Sequence, residues 1–237
     1  MKILYLFILS ALFISCNKKE IKIPVNDNPG INEVWDNSKI YILMSVNEKD
    51  TLAKLKIGQT ISTTHWLTAV DRRLRLKQLV APIKKIITKR QKKSIHYQGG
   101  KHAYFSYVDS INKKVAFIDF DSLQIIADFY LSKTYFKKYP KSDEKFNKFH
   151  LTVNENSLTL NDSISLNNQS KEQIHQQIWN YMAENTSEKP GRLYLNFNRN
   201  ITFNRFLDYY IFFKTKPIPK GKTSNTIFIF NTKDIRK

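Results

Sequence analysis

Apolar and polar residues follow one another along this chain in blocks whose period changes several times, and each change predicts a boundary between short elements. Ile3 to Ile14 is an apolar run interrupted only by Ser10, placed directly after Met1-Lys2. It falls well short of the ~20 residues a membrane-spanning helix needs. Asn17 to Glu33 is polar, holds Pro24 and Pro29-Gly30, shows no sustained period and reads as a flexible tether. Ser38 to Val46 and Thr51 to Ile57 predict a hairpin around Asn47 to Asp50, and Thr63 to Val70 a third strand. Leu76, Leu79, Val80, Ile83, Ile86 and Ile87 then recur as one face of a helix. Pro82 lies within that face, and an interior proline costs ~3 kcal/mol, so the helix is expected to begin near Val80 or to kink there.

Gln98-Gly99-Gly100 closes the helical segment, and Ala103 to Val108 with Lys114 to Phe120 predict two further strands. Ser122 is placed to cap a helix through Leu123, Ile126, Ala127 and Tyr130. Lys137 to Lys148 is strongly polar and reads as a boundary between lobes. Beyond it, Phe149 to Val153 and Ser157 to Leu160 predict strands, and Ser170 with Gln173 forms a capping box for a helix bearing Ile174, Ile178, Tyr181 and Met182. Lys189-Pro190-Gly191 stops that helix. Leu193, Leu195 and Phe197 alternate as a strand that Ile201 to Phe203 continues. Phe203, Phe206, Leu207, Tyr210 and Ile211 form another helical stripe, and Thr226 to Phe230 a last strand. The expected fold class is α+β, with two tandem small lobes over 34–140 and 141–237, each with amphipathic helices on a small mixed sheet. Tyr104 to Val108, Lys114 to Phe117 and Leu123 to Tyr130 echo Tyr194 to Phe197, Ile201 to Phe203 and Phe206 to Phe213, which suggests an internal repeat.

The first apolar run has the layout of a secretory signal. It ends in Phe13-Ile14-Ser15-Cys16, which resembles the lipobox of bacterial lipoproteins, with Phe13 in the place usually taken by Leu. The resemblance implies removal of residues 1–15, diacylation of Cys16, and a tether over 16–33 that would let the folded part stand at most ~50 Å from the bilayer. It also implies a lipid-anchored protein facing the periplasm in a Gram-negative cell envelope. Cys16 is the only cysteine, so no internal disulfide can form.

Charge narrows the partners further. Lys and Arg number 39 against 20 Asp and Glu, a formal net charge of +19. Such a surplus favours anionic partners, and export makes nucleic acid an unsuitable one. Between Arg72 and Lys101 there is no acidic residue. Arg72, Arg73, Arg75, Lys84, Lys85, Lys89, Arg90, Lys92 and Lys93 are therefore the candidate contacts with an anionic lipid or glycan, although such a run is more often the solvated face of a helix.

From Phe149 onward the order of elements is similar to the periplasmic domain of the ExbD/TolR family. The likeness lies in Leu151 to Asn161, the helix from Ser170, the strand Leu193 to Phe197, the helix from Phe203 and the strand Ile227 to Phe230. It implies two helices on a small mixed sheet and a habit of pairing with other proteins. Members of that family carry an acidic residue in a transmembrane helix, and nothing here corresponds to it, so no motor function carries over.

Catalytic patterns are sparse. The five histidines lack metal-ligand spacing, although His96 and His102 lie close in sequence. Asp109, Asp119, Asp121 and Asp128 cluster around one junction, where Asp119 and Asp121 are the residues a hydrolase would use, but turn and cap roles account for such residues without chemistry. Asp50-Thr, Asp109-Ser, Asp121-Ser and Asp162-Ser, each followed by an apolar residue, resemble a short O-glycosylation acceptor. No G-x-S-x-G, P-loop or H-E-x-x-H pattern is present, and neither cofactor nor metal is expected. The leading expectation is a non-catalytic protein-binding module, with anionic-surface binding as the alternative. Reversing the charge of Lys84, Lys85, Lys89 and Arg90 together separates the two: under the alternative, binding to anionic vesicles is salt-sensitive and is lost in the variant, as a co-sedimentation assay would show.

Overall fold

A computed structural model describes residues 20–231 except 47–49, 59, 93–99, 130, 187 and 219. The signal-like run and Cys16 lie outside the described residues, as do Lys93 and His96. The fold is α+β, with two mixed six-stranded sheets and, among the described residues, four helices.

Sheet 1 is built from β1 (Val25–Asn26), β2 (Asn37–Val46), β3 (Thr51–Ile57), β4 (His65–Val70), β5 (Ala103–Asp109) and β6 (Lys114–Asp119). Its order is β3-β2-β4-β5-β6, with β1 continuing along β5 beyond the end of β4. Helix α1 (Leu76–Gln91) crosses from β4 to the parallel β5. It runs through Pro82 from Leu76 instead of starting near Val80. Sheet 2 comprises β7 (Gln124–Phe129), β8 (Asn147–Val153), β9 (Leu158–Leu160), β10 (Ile164–Ser165), β11 (Gly191–Asn198) and β12 (Gly221–Phe230), in the order β10-β9-β8-β11-β12-β7. Its helices are α2 (Ser132–Lys138), α3 (Lys171–Asn185) and α4 (Phe203–Thr215).

Three expectations change. Residues 123–130 were expected to be helical, yet 124–129 form β7, which pairs in parallel with β12. The apolar spacing there suits either period, and the open edge of β12 decides it. The chain therefore enters sheet 2 soon after Phe120, well before the polar stretch expected to divide the lobes. The segment expected to be a tether is in part structural: β1 pairs with β5, and Ile31 bridges to Phe117 in both directions at 3.3 and 2.9 Å. Its polar side chains reach the other lobe, where Asn26 Nδ2 donates to Asp208 Oδ1 at 2.6 Å and Lys171 Nζ pairs with both Asp208 and Asp27.

The internal repeat is present in a register different from the one the aromatic echo suggests. β2, β3, β4, α1 and β5 correspond to β8, β9, β11, α4 and β12, and the sheet orders β3-β2-β4-β5 and β9-β8-β11-β12 agree. The counterpart of Tyr104 to Val108 is therefore β12, not β11. The clearest marker is the strand-to-helix turn, Asp71-Arg-Arg-Leu-Arg-Leu76 against Asn198-Arg-Asn-Ile-Thr-Phe203. Asp71 Oδ1 accepts from Arg73 N at 3.1 Å, and Asn198 Oδ1 accepts from Asn200 N at 2.9 Å. Leu74 N donates to Asp71 O, and Ile201 N to Asn198 O, both at 3.1 Å.

The two turns also bond to each other about a pseudo-twofold axis. Leu76 N donates to Ile201 O at 3.0 Å and Phe203 N to Leu74 O at 2.7 Å; Lys77 N donates to Arg199 O at 2.8 Å and Asn204 N to Arg72 O at 3.3 Å. The first N–H groups of a helix have no partner within it. Here each helix start is satisfied by carbonyls of the other repeat's turn. Above this junction a single apolar cluster draws on both sheets: Phe105 of β5 stacks on Phe120 at 3.9 Å between ring centroids and meets Phe203 of α4 edge-on at 5.3 Å. Helix α4 buries a broad apolar face, Phe203, Phe206, Leu207, Tyr210, Ile211, Phe212 and Phe213, while Asn204, Arg205, Asp208 and Tyr209 stay partly open.

Sheet 2 is covered on both faces. Leu193, Leu195 and Phe197 face the α3 and α4 side, where Phe197 meets Phe206. On the other face α2 seats Phe136 against Tyr194 and Phe228, Ser132 N donates to Asn196 Oδ1 at 2.6 Å, and Ser132 Oγ pairs with His150 Nδ1 at 2.7 Å. Burial lowers the His150 pKa to about 4, the nearby Lys133 and Lys148 acting in the same sense and Asp162 against it. An unfolded histidine titrates near 6.5, so between those values the unfolded chain binds more protons. The stabilising effect of neutral His150 is complete above about pH 6.5 and is lost as pH falls toward about 4. Denaturant unfolding at a series of pH values should show roughly 3 kcal/mol of loss across this window, and His150→Gln should flatten the slope.

Candidate functional site

The basic residues singled out by sequence do not form one surface. Arg73 is held by Asp71 in a two-pronged pair at 2.8 and 2.7 Å. Arg75 precedes α1, pairs with Glu155 at 2.7 Å and donates to Asn200 O at 3.0 Å, so it braces the junction between repeats. Arg90 is buried: its guanidinium lies 5.0 Å from the Trp66 ring centroid, and Nη1 donates to Ser62 O and Thr64 O. Burying a cation against an indole with two carbonyl partners is a structural use of charge. Lys89 reaches Thr60 Oγ1 at 2.7 Å, and Arg72, Lys84, Lys85 and Lys92 have exposed side chains. Of these residues the exposed ones along α1 are therefore Lys84, Lys85 and Lys89, with Lys92 just past its end.

A second constellation gathers where β4 and β5 begin and β6 ends. Asp119 Oδ1 accepts from Asp121 N and Asp121 Oδ1 from Ala103 N, both at 2.7 Å. The remaining oxygens of both carboxylates face His102 Nδ1, at 2.9 Å from Asp121 and 3.4 Å from Asp119. His102 N donates to His65 Nδ1 at 3.0 Å, the two imidazoles stack at 6.0 Å, and Tyr104 packs beside both. Burial holds the Asp121 carboxyl above its ordinary pKa, with the neighbouring Asp119 charge adding to the effect. His65 is lowered, first by burial and then by Lys101, His102 and Arg90. Asp119, Asp121 and His102 present ligand atoms within 4.8 Å of one another and are the described residues that could hold a cation. Sequence spacing hid this group, because strand pairing brings His102 to Asp119 and Asp121.

Chemistry beyond proton exchange has little to work with there. The hollow beside Asp121, lined also by Arg90, Lys101 and Phe120, holds about 110 Å³. Small-molecule sites usually enclose roughly 300–1,000 Å³. Among the described residues no hydroxyl or thiol side chain bonds to His102, so no activated nucleophile is assembled. Two other aspartates of these patterns serve turns: Asp109 accepts from Ile111 N, Asn112 N and Asn112 Nδ2, and Asp50 Oδ1 from Thr51 N, while Asp162 pairs with Lys133 at 3.1 Å.

The largest difference between the repeats is a face. Lys39, Tyr41 and Leu43 of β2, Leu52, Lys54 and Lys56 of β3, and Leu67 and Ala69 of β4 all point away from α1, by strand alternation and register. Leu67 and Ala69 occupy the places that Tyr194 and Asn196 hold in sheet 2, and Lys39 that of His150. Under α2, Tyr194 and Asn196 are 0% and 1% exposed, whereas Leu67 and Ala69 remain partly open and Leu52 is 46% exposed. Among the described residues no helix covers this face, and none is long and apolar enough to cross a membrane.

Compared with known family models, with characterised proteins and with solved structures, the chain matches none. The site is thus read from its own chemistry. Because Lys101 is among the charges that depress His65, Lys101→Gln should move the His65 titration upward, and two-dimensional NMR of the imidazole protons would follow it.

Proposed function

We propose that this protein is a lipid-anchored envelope component, attached through Cys16 and facing the periplasm, whose folded part is a non-catalytic module that binds another envelope protein. The observation that carries the reading is the asymmetry between the repeats: one sheet is covered on both faces and the other leaves a partly apolar face open. Exposed apolar surface that a chain does not cover itself is characteristic of interaction sites. The β8-β9-α3-β11-α4-β12 order is compatible with the ExbD/TolR-like arrangement inferred from sequence, which lends the protein-binding reading further support. The small hollow beside Asp121 and the absence of an assembled nucleophile among the described residues argue against a hydrolase.

The alternative, adhesion to anionic lipid or glycan, is supported by the exposed Lys84, Lys85 and Lys89 on α1 and Lys92 just past its end. Arg90 plays no part in it, being buried. Cross-linking in native membranes followed by purification of the full chain tests the leading reading: a reproducible protein partner is expected. Recovery of no protein, together with salt-sensitive vesicle binding that Lys84→Glu, Lys85→Glu and Lys89→Glu abolish, would replace it with the alternative. Anchoring is tested separately, by loss of palmitate labelling in Cys16→Ala.

A further inference from the structure

We infer that the open face of sheet 1 receives an acidic amphipathic helix from a partner protein, and that this helix completes sheet 1 as α2 completes sheet 2. The inference rests on the protein-binding reading and names the chemistry of the partner at that surface.

The repeat supplies the precedent. Within this molecule the equivalent face of sheet 2 is closed by a short helix that places one aromatic ring, Phe136, against Tyr194 and Phe228 at 4.6 and 5.9 Å. Sheet 1 retains the strand order that seats such a helix. Its centre, Tyr41, Leu43, Leu67 and Ala69, offers apolar contact in place of the Tyr194-Asn196-His150 set. An amphipathic helix lying in an apolar groove with anchors on one face is a common mode of recognition.

Charge selects which helix. Lys39, Lys54 and Lys56 are exposed on this face, and none of them is in an ion pair among the described residues. Among the described residues the only carboxylate placed on the face by register is Asp119, at its far end and turned to His102. A basic helix like α2, with Lys133, Lys137 and Lys138, would be repelled here, and an acidic one attracted. Lysines on the outer strand β3 also discourage the addition of another strand. Face binding of a helix therefore suits this surface better than edge pairing.

The test places a photoreactive side chain at Leu67, and separately at Leu43, in the full chain in native membranes, and sequences whatever is captured. The expected product is a peptide from another protein, net acidic, with apolar residues three and four apart. Its yield should fall about tenfold in a chain that also carries Lys54→Glu and Lys56→Glu, and should be retained with arginine at both positions. Thermal unfolding of the charge variants should match the parent, since both lysines are exposed. Capture of lipid or glycan, of this chain's own residues, or of a basic or non-amphipathic peptide overturns the inference, as does a yield indifferent to the charge reversal. Protein capture from Lys84 or Lys85 but not from this face overturns the inference while leaving the protein-binding reading standing. Capture of nothing from any position ends both.

Discussion

The molecule depends on a reciprocal arrangement at two helix starts. An α-helix begins with N–H groups that no carbonyl within the helix can satisfy, and burying them unpaired costs as much as losing the bonds outright. In this chain the beginnings of α1 and α4 meet, and each borrows the carbonyl oxygens of the other's preceding turn: Leu76 and Lys77 take Ile201 and Arg199, while Phe203 and Asn204 take Leu74 and Arg72. Neither repeat can close its own turn-to-helix junction without the other. The apolar cluster then grows across the same seam, through Phe105, Phe120 and Phe203, and Tyr210 of α4 donates from its hydroxyl to the Asp119 carbonyl at 3.2 Å. Two lobes in sequence therefore make one packed body.

Elements whose signal is local were legible. The Ser170–Gln173 capping box opens α3, with Ser170 N donating to Gln173 Oε1 at 2.8 Å and Gln173 N to Ser170 Oγ at 3.2 Å. The stripes of α1 and α4 and the β2–β3 hairpin follow their periodicity. Elements decided by distant pairing were not. β7 carries Ile125 and Ile126, equally at home in a helix stripe or a strand, and only the edge of β12 selects the strand. Val25 and Asn26 have no period to display in two residues, yet they join β5 because Pro24 and Asn26 offer carbonyls to Val108 and Ser110. Aromatic similarity between Tyr104 and Tyr194 suggests a false register for the repeat, whereas the feature the two repeats share is the Asx turn of Asp71 and Asn198 followed by an apolar residue at each helix start.

The candidate sites divide in the same way. A run of basic residues in sequence says nothing about which will be spent on the fold: Arg73 is taken by Asp71 in the same turn, and Arg75 and Arg90 by Glu155 and Trp66, which are distant in sequence. The His102 cluster is assembled by strand register, so no spacing rule finds it. The open face of sheet 1 stands out only against sheet 2, whose equivalent face α2 covers, since among the described residues no helix covers the face of sheet 1.

The N-terminal strap also has a mechanical meaning. Lys22 already accepts through its carbonyl from Arg72 N at 2.7 Å, so under the proposed anchoring at Cys16 the six residue steps between them set a maximum reach of roughly 20 Å, against the ~50 Å expected of the whole segment as a tether. Tension applied at that end would run along β1, which lies parallel to β5, and load its bonds in shear while Asn26 and Asp27 pass the force to Asp208 and Lys171. If the proposed anchoring holds, the folded part would sit close against the bilayer with its orientation constrained.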